Sequence, residues 1–287
     1  MSHTTPHIPT RGEVIRRIGE RLTPLYGAQE ARSIALRFVE EVTGLSPTQL
    51  LLDSDLPIEI PSFEEQLAEL EAGRPVQYVV GKTTFHGREF VVREGVLIPR
   101  PETEELVALI LREASSPQQI LDVGTGSGCI ALSLAAELPA AQVFATDISP
   151  EALAVAHENC VRLGLSVTLR PADALYNLAE CFPEEFDLLV SNPPYVPESD
   201  RPSLHTNVRE YEPGLALFVP DNDPLCFYPA IAQQAKQMLR PEGRLYFEIY
   251  HRYGEQICQL LADEGYEAVT LHKDLFDKPR FVCAQRK

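Results

Sequence analysis

The chain of 287 residues is 44% hydrophobic, which is typical of a globular protein with a sizeable core and argues against intrinsic disorder. Its formal net charge of -17 disfavours a nucleic-acid-binding protein, since such proteins usually carry a basic face. The six cysteines include no Cys-x-x-Cys pair, so neither a zinc site nor a disulfide framework is indicated. The N-terminus lacks a secretory apolar region and no apolar run reaches membrane-spanning length, so we expect a cytoplasmic protein.

The first predicted elements are helices, which occupy residues 12–73. Apolar side chains recur there at spacings of three and four, beginning with Val14, Ile18 and Leu22. Gly44 is a suitable helix stop, and Ser62 with Glu65 three residues later predicts a capping box at the start of another helix. We therefore predict a small helical domain over residues 1–74 that binds a partner protein.

A linker follows over residues 75–98. The stretch VQYVVGKTTFHGREFVVREGVLI is rich in valine, tyrosine, phenylalanine and threonine, with glycines between them. This composition predicts a β-hairpin that joins the helical domain to the rest of the chain.

Strands and helices alternate in the remaining domain, residues 99–287. Strands are predicted at 120–123, 143–148, 167–171, 186–191, 244–249, 268–271 and 281–284, and helices at 130–138, 151–163, 225–239 and 254–264. Such alternation predicts an α/β fold in which a mostly parallel sheet carries helices on both faces and binds ligands beyond the carboxyl ends of its strands. Residues 196–222 show no clear period and are predicted to form a lid or binding loop.

A glycine-rich loop connects the first of these strands to its helix. The sequence DVGTGSGC supplies five candidate cofactor-binding residues, namely Gly124, Thr125, Gly126, Ser127 and Gly128. Backbone N–H groups at a strand-to-helix junction commonly face a ligand, and glycine permits close approach. A tight turn is the alternative. The third glycine comes one residue too early for the dinucleotide fingerprint, which favours a nucleoside without a pyrophosphate.

Two acidic residues end the next two strands. Asp147 is placed to accept hydrogen bonds from both hydroxyls of a ribose, and Ser149 is a better helix cap than Asp147 itself. Asp173, with Ala174 beside it, is suited to an adenine amino group, although the same residues could simply begin a helix. Asp147, Asp173 and Ala174 are therefore candidate cofactor-binding residues.

The fourth strand ends abruptly in the sequence SNPPY. Proline cannot donate to a sheet and restricts the residue before it, so Asn192 begins a rigid turn containing Pro193, Pro194 and Tyr195. An amide nitrogen is a poor nucleophile, and acceptors on both of its N–H bonds favour the geometry of attack. The Asn192 side-chain oxygen and the Pro193 carbonyl could be those acceptors, with Tyr195 packed on the amide plane. A core loop exit is the alternative.

Several motifs together resemble the protein-glutamine methyltransferases that modify peptide chain release factors. They cover the chain from about residue 75 onward and read LIPRPETEELV, DVGTGSGCIALSLA, SNPPYVP, YEPGLAL and KDLFDKPRFV. The SNPPY motif alone is less specific, because adenine methyltransferases of DNA share it. One departure is visible after the fifth strand, where Tyr250 and His251 replace the more usual glycine of the family.

This resemblance implies a Rossmann-like class I methyltransferase domain with a seven-stranded, mostly parallel sheet. It implies S-adenosylmethionine as methyl donor and the glutamine of the Gly-Gly-Gln motif in class I release factors as acceptor. Asn192, Pro193 and Tyr195 would then be catalytic, and Asn192 would also contact the cofactor. The same turn, with Pro194, would bind substrate, together with Arg100 and Glu102 in the loop that closes over the site in this family.

Two other functions remain open from the sequence alone. A nucleic-acid amino-methyltransferase would use the same motif, although the acidic balance disfavours it. A non-catalytic S-adenosylmethionine-binding scaffold is the second, and the complete set of motifs argues against it. The seven histidines show no metal-ligand spacing, so we expect no metal and no direct contact with nucleic acid or membrane.

Overall fold

A computed structural model describes residues 8–114 and 116–287. These residues form two compact units. The first contains the described residues up to Thr83 together with Thr206–Tyr211, and the second contains Thr84–His205 and Glu212–Lys287. The first unit therefore takes in part of the segment 75–98 that we predicted as a linker, while residues 1–7 of the predicted helical domain lie outside the described residues.

The first unit is helical, as its periodicity predicts. Its helices are α1 (Arg11–Tyr26), α2 (Ala28–Thr43), α3 (Pro47–Leu52), α4 (Phe63–Glu71) and α5 (Val76–Val80). Their apolar faces share one core, which includes Val14, Ile18, Leu22, Phe38 and Leu67. Helix α2 ends at Gly44 in the left-handed conformation, which confirms the predicted stop.

The predicted capping box at Ser62 is wrong. Ser62 has a φ of 55° and its hydroxyl accepts no hydrogen bond from the helix. A side-chain cap requires extended backbone at that position, whereas the chain enters α4 through a turn in which the Phe63 N–H donates to the Ile60 carbonyl. A capping box is present instead at the start of α1, between Thr10 and Glu13.

The predicted hairpin covers only part of its segment. Residues 76–80 form helix α5, which begins after Pro75 and ends at a left-handed Gly81. The hairpin consists of β1 (Lys82–Phe85) and β2 (Arg88–Val91). The valines of the segment therefore pack as a helical turn, because proline before them and glycine after them set helix boundaries that composition alone does not reveal.

The second unit contains a seven-stranded sheet, which confirms the predicted architecture. Its strands are β3 (Gln119–Val123), β4 (Gln142–Asp147), β5 (Val167–Pro171), β6 (Phe186–Ser191), β9 (Leu239–Glu248), β10 (Glu267–Lys273) and β11 (Pro279–Gln285). The spatial order is β10-β11-β9-β6-β3-β4-β5. Six strands run in the same direction, and β11 alone lies antiparallel to its two neighbours in this sheet.

Helices cover both faces of this sheet. They are α6 (Pro101–Glu113), α7 (Cys129–Glu137), α8 (Pro150–Leu163), α9 (Leu178–Cys181), α12 (Phe227–Met238) and α13 (Gly254–Asp263). Successive residues of a strand point to opposite faces, so Leu188 and Leu189 of β6 belong to two different core clusters. The sheet is thus buried on both sides, as in other parallel α/β folds.

Residues 196–222 contain short regular elements, although the sequence shows no period there. Strands β7 (Val196–Pro197) and β8 (Phe218–Val219) pair, with a 3-10 helix at Glu198–Ser203 and helices α10 (Thr206–Tyr211) and α11 (Gly214–Leu217) between them. Each element is too short to produce a detectable periodicity. Among the described residues, no helix is both long and apolar enough to cross a membrane.

Candidate active site

A cavity of about 560 Å³ opens at the carboxyl ends of the parallel strands in the second unit. Its walls include eight of the predicted site residues, all at or just beyond the ends of β3, β4, β5 and β6: Gly124, Gly126, Asp147, Asp173, Ala174, Asn192, Pro193 and Pro194. Apolar side chains complete the lining, among them Leu97, Ile148, Leu215 and Phe227. The structure therefore brings together both predicted groups, the cofactor loop and the 192–195 turn.

Three N–H groups of the glycine loop already donate to backbone carbonyls, so the loop does not offer a row of free N–H groups. The N–H groups of Gly124 and Thr125 both donate to the Thr146 carbonyl at 2.9 Å, and that of Gly128 donates to the Thr125 carbonyl. Our expectation that the N–H groups of this loop face a ligand is therefore wrong for these three residues. The loop needs glycine for another reason, since Gly124 and Gly126 have φ of 76° and 56°, a backbone conformation that residues with a side chain rarely adopt.

Three predicted loop residues lie behind the cavity wall. Thr125 and Ser127 are buried, and none of Thr125, Ser127 and Gly128 lines the cavity. A Cβ atom at Gly128 would lie 3.1 Å from Leu132 and 3.3 Å from Ala156. These residues shape the loop from within, and their direct contact with a cofactor stays a prediction.

Asp122 holds the loop from inside the protein, and sequence analysis missed it. This fully buried carboxylate accepts hydrogen bonds from the Thr125 hydroxyl at 2.6 Å and from the Ala131 N–H at 3.2 Å. Burial raises the pKa of Asp122 to about 7, although both hydrogen bonds oppose that shift. A charged residue inside an otherwise apolar strand was the available signal.

Asp147 ends β4 and faces the cavity. Its two carboxylate oxygens accept hydrogen bonds from the N–H groups of Gly126 at 2.8 Å and Ser149 at 3.0 Å. Burial raises the pKa of Asp147, and these backbone donors oppose the rise. Ser149 caps α8, as predicted, by accepting from the Ala152 N–H. A carboxylate has about four acceptor sites, so Asp147 retains capacity for a ligand.

Asp173 both lines the cavity and shapes a turn. Its carboxylate accepts a hydrogen bond from the Leu175 N–H at 2.8 Å, and its own N–H donates to the Asn177 side chain at 2.7 Å. The alternative that these residues begin a helix is wrong, because residues 174–177 form a turn and α9 starts only at Leu178. Contact of Asp173 and Ala174 with adenine stays a prediction.

The 192–195 turn is anchored by side chains from distant parts of the chain. The Asn192 side-chain nitrogen lies 3.3 Å from the Thr103 hydroxyl, which lies 2.7 Å from the Glu248 carboxylate. The Tyr195 hydroxyl donates to the other oxygen of Glu248 at 3.1 Å. Thr103 and Glu248 are buried, and sequence analysis assigned neither of them to the site. Burial raises the pKa of Glu248.

Tyr195 does not line the cavity. Its ring stacks on Tyr250, with centroids 5.8 Å apart and planes inclined by 13°. The Tyr250 hydroxyl donates to Asp200, which also pairs with Arg252. Tyr250, at a position where the resemblance leads us to expect glycine, thus packs on Tyr195 and bonds to Asp200. It covers one face of the Tyr195 ring. Burial and the nearby Glu248 carboxylate raise the pKa of Tyr195.

Arg100 and Glu102 do not line the cavity either. Arg100 forms an ion pair with the buried Glu212 at 2.6 Å, and Glu212 also accepts from the Ile98 N–H. This pair ties the loop before α6 to the segment YEPGLAL. Glu102 lies in the first turn of α6, where an acidic side chain is favoured by the helix dipole. Substrate contact by Arg100 and Glu102 stays a prediction.

One group of potential metal ligands occurs among the described residues, and it lies outside the cavity. Glu113, His272 and Cys283 have ligand atoms within 4.8 Å of one another. The Glu113 carboxylate already pairs with Arg244 at 3.2 Å, and the His272 ring contacts the Cys283 sulfur at 3.3 Å. These contacts account for the three side chains without an ion.

Comparisons with known proteins agree with this geometry. Residues 103–208 match the family model of the methyltransferase small domain, and residues 13–81 match that of the PrmC N-terminal domain. The chain is 40% identical over 272 residues to a release factor glutamine methyltransferase of Bacteroides thetaiotaomicron, covering 94% of this chain and 98% of the relative. It is 41% identical over 271 residues to one from Flavobacterium psychrophilum, covering 92% and 94%.

A solved structure is similar in fold. The methyltransferase from Pyrococcus furiosus superposes with a TM-score of 0.55 over 78% of this chain and 98% of its own, at 15% sequence identity. At that identity the likeness concerns the fold alone.

The raised pKa of Asp122 predicts a specific pH dependence of stability. Between the usual value of 3.8 and about 7, the folded chain keeps a proton that the unfolded chain has released, so the free energy of unfolding falls as pH rises. Asp122→Asn removes this titration. We expect the free energy of unfolding, measured with denaturant, to fall less over this pH range in the variant than in the wild type. The difference in the total fall should be about 1.4 kcal/mol for each unit by which folding raises the pKa of Asp122. Identical slopes for both proteins would contradict this assignment.

Proposed function

The chain belongs to the release factor glutamine methyltransferase family, and from that membership we propose how its second unit works. The protein is an S-adenosylmethionine-dependent protein-glutamine N-methyltransferase that acts on the side-chain amide nitrogen of a release factor glutamine. One observation carries the assignment of the reaction to this site: Asn192 and Pro193 line the same cavity as Asp147 and the glycine loop. The reaction needs cofactor and amide side by side, and this cavity offers both surfaces.

The lining of the cavity supports S-adenosylmethionine as its ligand. Asp147 has acceptor capacity left for the two ribose hydroxyls, and we assign the adenine to Asp173 and Ala174, which line the same cavity. Gly124 and Gly126 leave the wall open where any other residue would project a side chain. When bound, S-adenosylmethionine supplies an electrophilic sulfonium methyl group.

The 192–195 turn prepares the glutamine amide. The lone pair of an amide nitrogen is delocalised into its carbonyl, so acceptors must hold both N–H bonds to favour attack. We assign these acceptors to the Asn192 side-chain oxygen and the Pro193 backbone carbonyl, both fixed by the two prolines of the turn. Tyr195 supports the turn with one ring face on Tyr250, and we retain its other face as a contact for the substrate.

The protein partner is a release factor, and we propose the Gly-Gly-Gln loop of class I factors as the segment that enters the cavity. Pro213, Leu215 and Ala216 line the cavity beside the turn and would flank that loop. We further propose that residues 1–74 form the partner-binding domain, with 75–98 as linker and 99–287 as methyltransferase domain. The match of residues 13–81 to the PrmC N-terminal domain supports a separate N-terminal domain, and it extends seven residues into the proposed linker. A cytoplasmic location is consistent with such a partner.

Asp147→Ala should weaken binding of S-adenosylmethionine and of its demethylated product. The loss of a charge-assisted acceptor is expected to cost about 1.5 to 3 kcal/mol, which is roughly a 10- to 150-fold higher Kd in calorimetric titration. Asp263→Ala, on an exposed position of α13, is a matched control that should bind normally. Tighter binding of a nicotinamide dinucleotide than of S-adenosylmethionine would contradict the cofactor assignment.

The acceptor is tested by offering the enzyme labelled S-adenosylmethionine with a purified class I release factor or with duplex DNA. We expect one methyl group on the glutamine of the Gly-Gly-Gln motif, located by peptide mass spectrometry. A release factor carrying Gln→Glu at that position should accept none, because it lacks the amide nitrogen. Methylation of DNA without methylation of the release factor would favour a nucleic-acid amino-methyltransferase instead.

A further inference from the structure

One buried carboxylate connects the two ends of the 192–195 turn, contacting Tyr195 directly and Asn192 through Thr103. Glu248 lies 2.7 Å from the Thr103 hydroxyl and 3.1 Å from the Tyr195 hydroxyl, one contact on each carboxylate oxygen. Thr103 in turn lies 3.3 Å from the Asn192 side-chain nitrogen. The three contacts form a continuous chain of hydrogen bonds that begins at a cavity-lining side chain and ends at Tyr195.

The direction of each hydrogen bond in this chain is fixed by proton count. With Glu248 ionised, its carboxylate only accepts, so Thr103 and Tyr195 both donate to it. The threonine hydroxyl has a single proton, so Thr103 can only accept from Asn192. The side-chain amide of Asn192 must therefore point its nitrogen at Thr103. The opposite orientation would place two oxygens together with no proton between them, at the cost of an unsatisfied buried pair.

The environment of Glu248 favours this role for its carboxylate. Burial raises the pKa of Glu248, whereas the hydroxyl donors Thr103 and Tyr195 and the positive charge of Arg280 act in the opposite direction. Arg280 is itself held by an ion pair with the buried Asp274 at 3.1 Å. The carboxylate thus has a donor on each oxygen and a cation nearby, as buried charged groups generally require.

We propose that Glu248 is a positioning residue, which acts through Thr103 to turn the Asn192 side-chain oxygen toward the substrate amide. This inference rests on the proposed function, since it explains why Asn192 presents an acceptor and not a donor. Through Tyr195 the same carboxylate fixes the far end of the turn. Glu248 itself does not line the cavity and contacts neither cofactor nor substrate in this account.

Thr103 offers a matched pair of variants, because valine keeps its shape and serine keeps its hydroxyl. We expect Thr103→Val to lower kcat for release factor methylation by about 10- to 100-fold, less than the roughly 10²- to 10³-fold expected for Asn192→Ala. The KM for release factor and the Kd for the cofactor should change less than about 2-fold, because ground-state contacts remain. Thr103→Ser should retain most of the wild-type kcat.

A double-mutant cycle tests whether Glu248 acts through Thr103. In Glu248→Gln the new amide donates to one hydroxyl and disturbs the fixed directions, so we expect a kcat loss similar to that of Thr103→Val. Thr103→Val combined with Glu248→Gln should be little worse than the more impaired single variant, because both break one chain. Additive losses would overturn the relay and leave Glu248 a structural residue.

These outcomes distinguish a failure of the Asn192–Thr103–Glu248 positioning chain, called the relay here, from a failure of the proposed function on which it rests. A wild-type enzyme that does not methylate release factor overturns the proposed function and the relay together. An active wild type with an equally active Thr103→Val variant overturns the relay alone. An equal loss of kcat in Thr103→Val and Thr103→Ser also contradicts the relay. So does a rise in the cofactor Kd of Thr103→Val that matches its loss of kcat, because either result indicates general damage to the site.

Discussion

The register of four parallel strands is the constraint on which the whole site depends. Hydrogen-bonded pairing places four residues in one row across the sheet, namely Thr146, Val123, Ser191 and Phe247. The next residue of each strand therefore lies at one level along the sheet edge. Asp147 and Glu248 are the last residues of β4 and β9, and Gly124 and Asn192 are the first residues beyond β3 and β6. A shift of one residue in any strand would turn the corresponding side chain to the other face and remove it from this edge. Strand pairing thus assembles the groups of the proposed site: the ribose acceptor Asp147, the start of the glycine loop, the amide acceptor Asn192 and the positioning carboxylate Glu248.

Two buried carboxylates stabilise the geometry of this edge. Asp122 fixes the glycine loop through Thr125, and Glu248 fixes the 192–195 turn through Thr103 and Tyr195. Burying a carboxylate is unfavourable unless donors satisfy it, which is reflected in the raised pKa of both groups. Glu248 draws its hydrogen-bond partners from two distant segments, so it holds together parts of the chain that no local preference would bring together. Asp122 acts locally, since its partners lie three and nine residues further along the chain. Rigid placement of acceptors before substrate binds is what catalysis at a weak nucleophile requires.

Much of the fold and part of the site could be predicted from the sequence. Long periodic helices and apolar strands gave the seven-stranded sheet, and strand-end polar residues gave Asp147 and Asn192, because strand ends in a parallel sheet share one edge. Thr103 and Glu248 were missed because they are 145 residues apart in the chain, and no local pattern indicates such a contact. The N–H groups of Gly124 and Thr125 were misjudged for a similar reason, since their acceptor, the Thr146 carbonyl, belongs to the neighbouring strand.

In the proposed mechanism a release factor glutamine presents its amide nitrogen to the Asn192 side-chain oxygen and the Pro193 carbonyl. A crystal structure with the demethylated cofactor and a peptide containing the Gly-Gly-Gln motif would measure these two contacts. We expect the glutamine nitrogen within hydrogen-bond distance, about 2.7 to 3.2 Å, of both oxygens. A glutamine bound through its carbonyl oxygen to the Asn192 side-chain nitrogen, or held away from the 192–195 turn, would contradict the mechanism.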